Sequence, residues 1–351
     1  MRLLLPAGTT ETALIDGISA AGAAPELMEH TPSADVEILE YGEPVMSPVT
    51  PVSPNGCPTP AAVTRAVREV IGFDVSVIDA GLTQSTAAPT IDLDVGPGDD
   101  IRESVAVPDA KATFDRAYDY GASLPDDRLV IGETVPGGTT TALGVLTALG
   151  EPAGVSSSLP ENPIERKRRV VDEALAASDL EPGDCDGAPL EAIEAVGDPV
   201  QPTVTGIAAG ALEAGTNVTL AGGTQMIAVA AVLRHAGIDA PLSIATTSFV
   251  ADEQGDRLTD ACERFACEVT VTDPGFDERD HVAMTRYCAG EAKEGVAMGG
   301  ALALVPEARM GEVRDRLEAV CARLGIENDG SESGAENDEG SDGAKEGTRG
   351  P

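Results

Sequence analysis

Short β-branched runs alternate with longer alanine-rich runs over most of the chain, from about residue 70 onward. The short runs are apolar almost throughout, which is typical of strands buried on both faces of a parallel sheet. Their alternation with runs of helical length predicts βαβ units. The predicted strands span residues 75–79, 129–131, 217–221, 241–245, 269–272 and 301–305, and the predicted helices between them span 110–121, 139–149, 163–177, 204–214, 225–235 and 257–265.

The two ends of the chain have a different pattern. In the first 70 residues a helix-like run (11–21) precedes a proline-rich stretch and a second predicted helix (61–71), which Pro58-Thr59-Pro60 introduces. Residues 307–324 predict a charged amphipathic helix, and the residues after it offer almost nothing to bury. We therefore expect an N-terminal accessory segment (1–70), an α/β domain (71–325) and an acidic disordered tail (326–351).

The predicted fold class is α/β: a mostly parallel, Rossmann-like sheet flanked by helices, with a small accessory unit from the N-terminal segment and the C-terminal helix. No run reaches the roughly 20 apolar residues that a membrane span needs. The apolar run that begins at Leu3 is also too short for a signal peptide. We expect a cytoplasmic protein.

Acidic residues dominate nearly every segment, with 60 Asp and Glu against 23 Lys and Arg and a formal net charge of -37 at pH 7. Such a surface makes nucleic acid and anionic membranes poor partners. We interpret the charge as adaptation to concentrated salt, where self-repulsion is screened within a few ångströms.

Metal-ligand patterns are missing from the sequence. The 6 cysteines form no C-x-x-C pair, and the 3 histidines (His30, His235 and His281) lie far apart. A protein-built metal site is therefore not expected.

The most informative segment, residues 130–144 (VIGETVPGGTTTALG), runs from a predicted strand through a tight loop into a predicted helix. Glycines let backbone N–H groups approach a ligand, threonines add hydroxyl donors, and a helix N-terminus favours an anion. The loop nearly matches G-x-x-x-x-G-K-[ST], but Gly138 stands at the lysine position, and we expect no other lysine to be near enough to reach a β- or γ-phosphate. This favours a monophosphate over a nucleoside triphosphate, while a plain strand-to-helix turn stays open.

A second glycine turn, residues 220–225 (LAGGTQ), also follows a predicted strand and precedes a helix. It belongs to the same carboxyl edge of the sheet, where open α/β folds bind ligands. Gly222 and Gly223 could therefore close over one ligand from the other side, or simply form a turn.

Residues 292–301 (AKEGVAMGGA) place one carboxylate, Glu294, among small residues at the entry to the last predicted strand. A carboxyl group in a cleft wall has a raised pKa and can accept a proton. A solvated surface charge is the alternative.

Together with residues 155–163 (VSSSLPENP), these segments resemble the nicotinate-nucleotide:dimethylbenzimidazole phosphoribosyltransferase family, in its archaeal branch. Bacterial members read G-E-M-G-I-G-N-T-T where this chain runs from Gly132 to Thr140, with Val135 in place of a Gly and Gly138 in place of the Asn. Their L-G-E-G-S-G-A-A-L-A is similar to Lys293-Glu294-Gly295, with extra residues before 301–303. The resemblance covers about residues 75–306.

The resemblance implies a reaction in which a ring nitrogen of a benzimidazole-type base attacks the ribose C1 of nicotinate mononucleotide. Nicotinate leaves, and α-ribazole phosphate, used as the lower ligand of cobamides, is formed. No metal or cofactor is implied, because the leaving pyridinium already carries the charge, and a homodimer is expected. Which flat base is accepted (dimethylbenzimidazole, a simpler benzimidazole, adenine or a phenol) stays open.

The resemblance also implies residue roles. Glu294 takes the proton from the incoming base, and Glu133 orients the ribose hydroxyls or the second substrate. The remaining candidates are substrate contacts: Gly132, Gly137, Gly138, Thr139, Thr140, Gly222 and Gly223 for the phosphate, and Asp79, Gln84 and Ser85 for the base. A non-catalytic nucleotide-binding or regulatory protein on the same fold is the main alternative, and a nucleoside-triphosphate hydrolase is the next.

Overall fold

One parallel sheet organises the chain in the computed structural model, which describes residues 1–19 and 25–327. Its strands are β1 (Arg2–Ala7), β2 (Asp74–Asp79), β3 (Thr90–Asp92), β4 (Arg128–Ile131), β5 (Asn217–Ala221), β6 (Leu242–Thr247) and β7 (Cys267–Thr272). They form a 7-stranded sheet in the order β3-β2-β1-β4-β5-β6-β7, and every neighbouring pair is parallel. The predicted α/β class with a parallel sheet is confirmed.

Helices cover both faces of this sheet. They are α1 (Thr31–Tyr41), α2 (Ala61–Ile71), α3 (Ala110–Ser123), α4 (Gly138–Ala148), α5 (Ile164–Ala177), α6 (Pro189–Val196), α7 (Val200–Glu213), α8 (Thr224–His235), α9 (Ser248–Gln254), α10 (Asp256–Arg264), α11 (Val282–Cys288), α12 (Met298–Ala303) and α13 (Met310–Arg323). Side chains alternate along β1, so that Leu4 belongs to the core beneath α3–α8, whereas Leu3 and Leu5 belong to the core beneath α1, α2 and α11–α13. Both faces of the central strands are therefore buried.

The strand order reverses between β1 and β4. The chain builds outward from β1 to β2 and β3, then returns to the other side of β1 and continues from β4 to β7. Open α/β folds bind ligands beside such a reversal of strand order, at the carboxyl edge of the sheet.

The N-terminal segment and the C-terminal helix meet, as predicted. Val63 and Val67 of α2 share a core with Val313 and Leu317 of α13. The same segment also supplies β1 to the middle of the main sheet, hydrogen-bonded to β2 and β4. The division of the chain at residue 70 stays a prediction, and the predicted tail beyond Glu327 lies outside the described residues.

Two sequence-based assignments of secondary structure are wrong, and several elements were missed. Residues 301–305 are not a strand, because 298–303 form α12. Of the helix predicted over 11–21, residues 11–19 contain only the 3-10 helix Glu11–Leu14, after which Gly17 turns the chain with a φ of 71°, and residues 20 and 21 lie outside the described residues. The strand β1 was missed because its leucine-rich run has neither β-branched residues nor alternation. The helices α1, α6, α9 and α11 and the short edge strand β3 were also missed.

No helix in the described part of the chain has the length and apolar character to cross a membrane.

Candidate active site

A cavity opens at the carboxyl edge of the sheet. Its lining comes from the loops after β4 and β5, from the loop before α12, and from the proline-rich stretch before α2. The predicted residues that line it are Glu133, Gly137, Gly138, Thr139, Gly223 and Glu294. The structure thus brings together the two predicted catalytic carboxylates and the core of the predicted phosphate loop.

Three other predicted phosphate contacts lie behind the cavity wall. Gly132 is a packing glycine, because a Cβ there would overlap the backbone and Cβ of Ala297. Thr140 is fully buried, and its Oγ1 has no hydrogen-bond partner among the described residues. Gly222 donates its N–H to the carbonyl of Ala245 at 3.0 Å and does not border the cavity.

The predicted base contacts lie away from this cavity, at the end of β2. Asp79 accepts the N–H groups of Gly81 at 3.0 Å and Leu82 at 2.9 Å, which shapes its own turn. The carbonyl of Gln84 accepts the hydroxyl of Ser33, and Ser85 is exposed. The structure therefore does not place these side chains beside Glu294, and their contact with a base stays a prediction.

Glu294 is held at the end of β6 by hydrogen bonds from both sides. Its Oε2 accepts the hydroxyl of Thr246 at 3.1 Å and the N–H of Thr247 at 3.2 Å, and its Oε1 accepts the N–H of Gly299 at 2.8 Å. Although the side chain borders the cavity, burial of the carboxyl group raises its pKa to about 7, against the effect of these hydrogen bonds. A fixed carboxyl group of this pKa can accept a proton near neutrality.

Glu133 lies in the opposite loop with an even higher pKa. Burial of its carboxyl group raises the pKa to about 8, and the nearby carboxylates of Asp198, Glu294 and Asp35 add to the rise. At neutral pH Glu133 is therefore mostly protonated, so it can donate a hydrogen bond where Glu294 can accept one.

The loop that carries Glu294 has an unusual backbone. Ala292, Val296 and Ala297 have φ values of 45°, 50° and 59°, in the left-handed region, where a β-branched residue is rare. The loop is held by its neighbours: the hydroxyl of Thr64 donates to the carbonyl of Val296 at 2.7 Å, and the N–H of Ala292 donates to the carbonyl of Ser158 at 3.1 Å. Such strain persists only where the surroundings enforce it, and it is typical of functional sites.

The predicted phosphate loop forms the N-terminus of α4, as the sequence indicated. Gly137 caps the helix with a φ of 84°, and a Cβ there would stand 3.0 Å from the backbone nitrogen of Ala13. The dipole of α4 and the N–H groups of its first turn make this end favourable for an anion.

Two buried lysines, Lys167 and Lys293, were not recognised as site residues. Lys167 of α5 donates to Thr139 Oγ1 at 2.8 Å and to the carbonyl of Ser156 at 3.0 Å, and its burial lowers its pKa to about 7. A lysine therefore does lie beside the loop, and it comes from α5 rather than from the loop itself. That no lysine reaches a β- or γ-phosphate stays a prediction. Its place in the basic run 166–169 was the only sequence signal.

Lys293 reaches the neighbouring loop from the segment before α12. Its Nζ donates to the carbonyls of Ser157 at 2.8 Å and Leu159 at 2.9 Å and lies 3.4 Å from the carboxylate of Glu253. Burial lowers its pKa. The two lysines therefore fix the loop at residues 156–159 as one wall of the cavity.

Asp35 is a third unpredicted residue, contributed by α1 of the N-terminal segment. It lines the cavity with 2% of its surface exposed. Its oxygens accept the hydroxyls of Thr59 at 2.6 Å and Thr134 at 2.7 Å, and burial raises its pKa to about 7. The N-terminal segment therefore completes the site.

The chain matches one protein-family model and is similar to archaeal UPF0284 proteins. A family model described as "Phosphoribosyltransferase" matches residues 57–258, more than half of the chain. The UPF0284 protein of Halobacterium salinarum is 57% identical over 323 residues, which cover 91% of this chain and 97% of that protein. The UPF0284 protein of Methanothermobacter thermautotrophicus is 43% identical over 326 residues, covering 89% of this chain and 90% of that protein.

The fold is similar to two crystal structures from Thermus thermophilus. One is CobT, with a TM-score of 0.60 and 19% identity, covering 93% of this chain and 86% of that chain. The other is a nicotinate-nucleotide-dimethylbenzimidazole phosphoribosyltransferase, with a TM-score of 0.56 and 17% identity, covering 93% of this chain and 85% of that chain. The chain belongs to the phosphoribosyltransferase family, in the archaeal branch of the UPF0284 proteins, and is a glycosyltransferase-type enzyme with the CobT fold.

Proposed function

We propose that the enzyme transfers the phosphoribosyl group of nicotinate mononucleotide to a benzimidazole-type base and releases nicotinate and α-ribazole phosphate. The observation that carries the proposal is the shared cavity, in which Glu294 and Glu133 face the same space as the N-terminus of α4. A phosphate at that N-terminus would hold the ribose between the two carboxyl groups, so that binding energy is used for alignment.

In the proposed reaction, the lone pair of one ring nitrogen of the base forms a bond to C1 of the ribose, and the bond between C1 and nicotinate breaks with its electron pair going to nicotinate. The proton on the other ring nitrogen is transferred to Glu294, which is suited to accept it because its pKa is near neutrality. Glu133 in its protonated form donates to a ribose hydroxyl. Positive charge develops on the ribose in such transfers, and the carboxylate of Glu294, which is ionised until it takes the proton, favours that charge.

Incubation of the enzyme with nicotinate mononucleotide, with and without a panel of bases, tests the proposal. We expect nicotinate to be released only when a base is present, together with a phosphorylated nucleoside of that base. The panel (dimethylbenzimidazole, benzimidazole, adenine and a phenol) identifies the acceptor. A protein that binds nicotinate mononucleotide but leaves it intact with every base would be a non-catalytic binder, and the proposal would be wrong.

A further inference from the structure

The amide of Gln225 lies in the cavity wall and belongs to a closed ring of hydrogen bonds. The backbone N–H of Asp198 donates to Gln201 Oε1 at 3.2 Å, and Gln201 Nε2 donates to Gln225 Oε1 at 3.0 Å. Gln225 Nε2 then donates to Asp198 Oδ2 at 2.7 Å. The ring joins the first turns of α7 and α8.

The direction of this ring is fixed by chemistry. A backbone N–H can only donate, so the atom of Gln201 that faces Asp198 must be the amide oxygen, and its nitrogen must face Gln225. The oxygen of Gln225 is therefore the acceptor, and its nitrogen faces the carboxylate. Neither amide can flip without losing a hydrogen bond in a buried site.

The ring is also rigid. Asp198, Gln201 and Gln225 are 0%, 2% and 5% exposed. Asp198 Oδ1 accepts the N–H groups of Val200 at 3.0 Å and of Gln201 at 3.1 Å, and Asp198 Oδ2 accepts the hydroxyl of Thr141 in α4. Burial raises the pKa of Asp198, while these donors favour its ionised form. The Asp198 carboxylate thus links three helix N-termini.

One N–H of the Gln225 side-chain amide makes no hydrogen bond within the ring. An amide nitrogen carries two hydrogens, and Gln225 Nε2 gives one of them to Asp198. The nitrogen lies against the first residue of α4, since a Cβ on Gly138 would stand 2.5 Å from it. The second N–H is therefore a neutral donor beside the helix N-terminus, where the helix dipole already favours an anion.

We propose that Gln225 binds the phosphate monoester of the phosphoribosyl donor through this second N–H, and that Asp198 and Gln201 are positioning residues that aim it. The inference rests on the proposed function, because it concerns the phosphate of the same substrate. A neutral amide adds a directed hydrogen bond to the phosphate, and the ring keeps the Asp198 carboxylate from facing the ligand directly.

Titration of two ligands tests the assignment. Nicotinate mononucleotide and nicotinate riboside differ only in the phosphate, so the ratio of their affinities measures how much the phosphate contributes to binding. In Gln225→Met we expect the mononucleotide to bind roughly ten- to a hundredfold more weakly, as for loss of a hydrogen bond to a charged group, and the riboside to bind as in the wild type. Gln201→Met keeps the donor Gln225 Nε2 but removes the hydrogen bond that orients the Gln225 amide. The ratio of mononucleotide to riboside affinity should therefore fall by less in this variant than in Gln225→Met.

The possible outcomes separate the two proposals. If Gln225→Met leaves the ratio of the two affinities unchanged, whether both fall equally or neither falls, the role of Gln225 is overturned and the proposed function stands. A wild-type protein that binds neither ligand would instead overturn the proposed function, and the present assignment with it. If Gln225→Met does not fold, Gln225→Asn carries the same comparison, because its shorter side chain cannot both reach Asp198 and remain beside Gly138.

Discussion

The backbone N–H of Val296 donates a hydrogen bond of 2.8 Å to the carbonyl of Glu133. This contact joins the loop after β4 to the loop before α12. The backbone of Glu133 is thus hydrogen-bonded to a residue only two positions after Glu294. The hydrogen bond couples the two loops, which favours a preorganised arrangement of Glu133 and Glu294.

Replacing Glu294 with Gln tests its role as the proton acceptor. The amide keeps the shape of the side chain but cannot take the proton, so turnover should fall by roughly the 10²- to 10⁴-fold that a general base contributes. Affinity for nicotinate mononucleotide should be unchanged. Steady-state assays and titration measure both, with the exposed Glu307→Gln as a matched control.

The pH profile of kcat/KM is a second readout of the same group. Since the pKa of Glu294 is raised to about 7, kcat/KM should fall as the pH drops through that value, because protonated Glu294 cannot accept a proton. The acid limb should disappear in Glu294→Gln. Normal turnover in this variant would move the base elsewhere, with Glu133 the first candidate, whereas a raised KM at unchanged kcat would make Glu294 a binding contact only.

Glu133 should make the stability of the protein depend on pH. Its folded-state pKa of about 8 lies above the ordinary value of 4.5, so between these values the folded state binds the proton more tightly than the unfolded state. The wild type should therefore lose stability as the pH rises through this window. We expect the free energy of unfolding to fall by at least about 1 kcal/mol, which a pKa shift of less than one unit already produces. Glu133→Gln cannot ionise and should melt at a higher temperature than the wild type above about pH 8.

Thermal melts of the unliganded proteins at both ends of this window measure the effect, again with Glu307→Gln as the control. The gain of Glu133→Gln should vanish below pH 4.5, where both states of the wild type are protonated. A gain of the same size at every pH would show that packing, rather than ionisation, is responsible.

Gly138→Asp should abolish tight binding of phosphate-bearing ligands. Its Cβ would stand 2.5 Å from Gln225 Nε2 and 2.9 Å from Val135 Cγ1, and its carboxylate would occupy the proposed phosphate position. We expect affinity for nicotinate mononucleotide to fall by about a hundredfold, or roughly 2.8 kcal/mol. The control is Gly96→Asp, where an added Cβ meets no atom within 4 Å. If titration shows that Gly138→Asp binds nicotinate mononucleotide with wild-type affinity, the phosphate binds elsewhere.

Low salt should destabilise the enzyme. The net charge of -37 is screened over roughly 3 Å in molar salt but over roughly 10 Å at a tenth of that concentration, so the carboxylates repel one another more strongly in dilute buffer. The melting temperature should fall steadily as salt is removed. An unchanged melting temperature in dilute buffer would contradict the interpretation of the charge as salt adaptation.

Local sequence signals were sufficient for much of the fold. The β-branched run of β5 and the glycine-threonine start of α4 were placed correctly, because strand composition and helix-start residues are local properties. The run 301–305 was misassigned because its alternation resembles a strand. Gly299 and Gly300 instead let α12 lie close against Thr246 and Ala221, a contact that only the tertiary structure reveals.

The candidate site was predictable where a residue type was unusual for its surroundings. Glu133 and Glu294 each stand in a glycine-rich segment, and both line the cavity. Asp35 and Lys167 gave no comparable signal, since Asp35 lies in a helix that the sequence did not predict and Lys167 in an ordinary helical pattern. Each reaches the cavity region from a distant helix. Their positions depend on how helices pack on the sheet, which the spacing along one chain does not encode.

The close approach of Gly132 to Ala297 limits how this enzyme could be re-engineered. A side chain at residue 132 would overlap Ala297, whose own backbone is left-handed, so the two loops match each other atom by atom. A graft that imports only one of them from a distant homologue, to change base selectivity for example, would collide with the resident partner. Loop exchange in this fold therefore calls for transplanting residues 132–137 and 292–300 as one cassette.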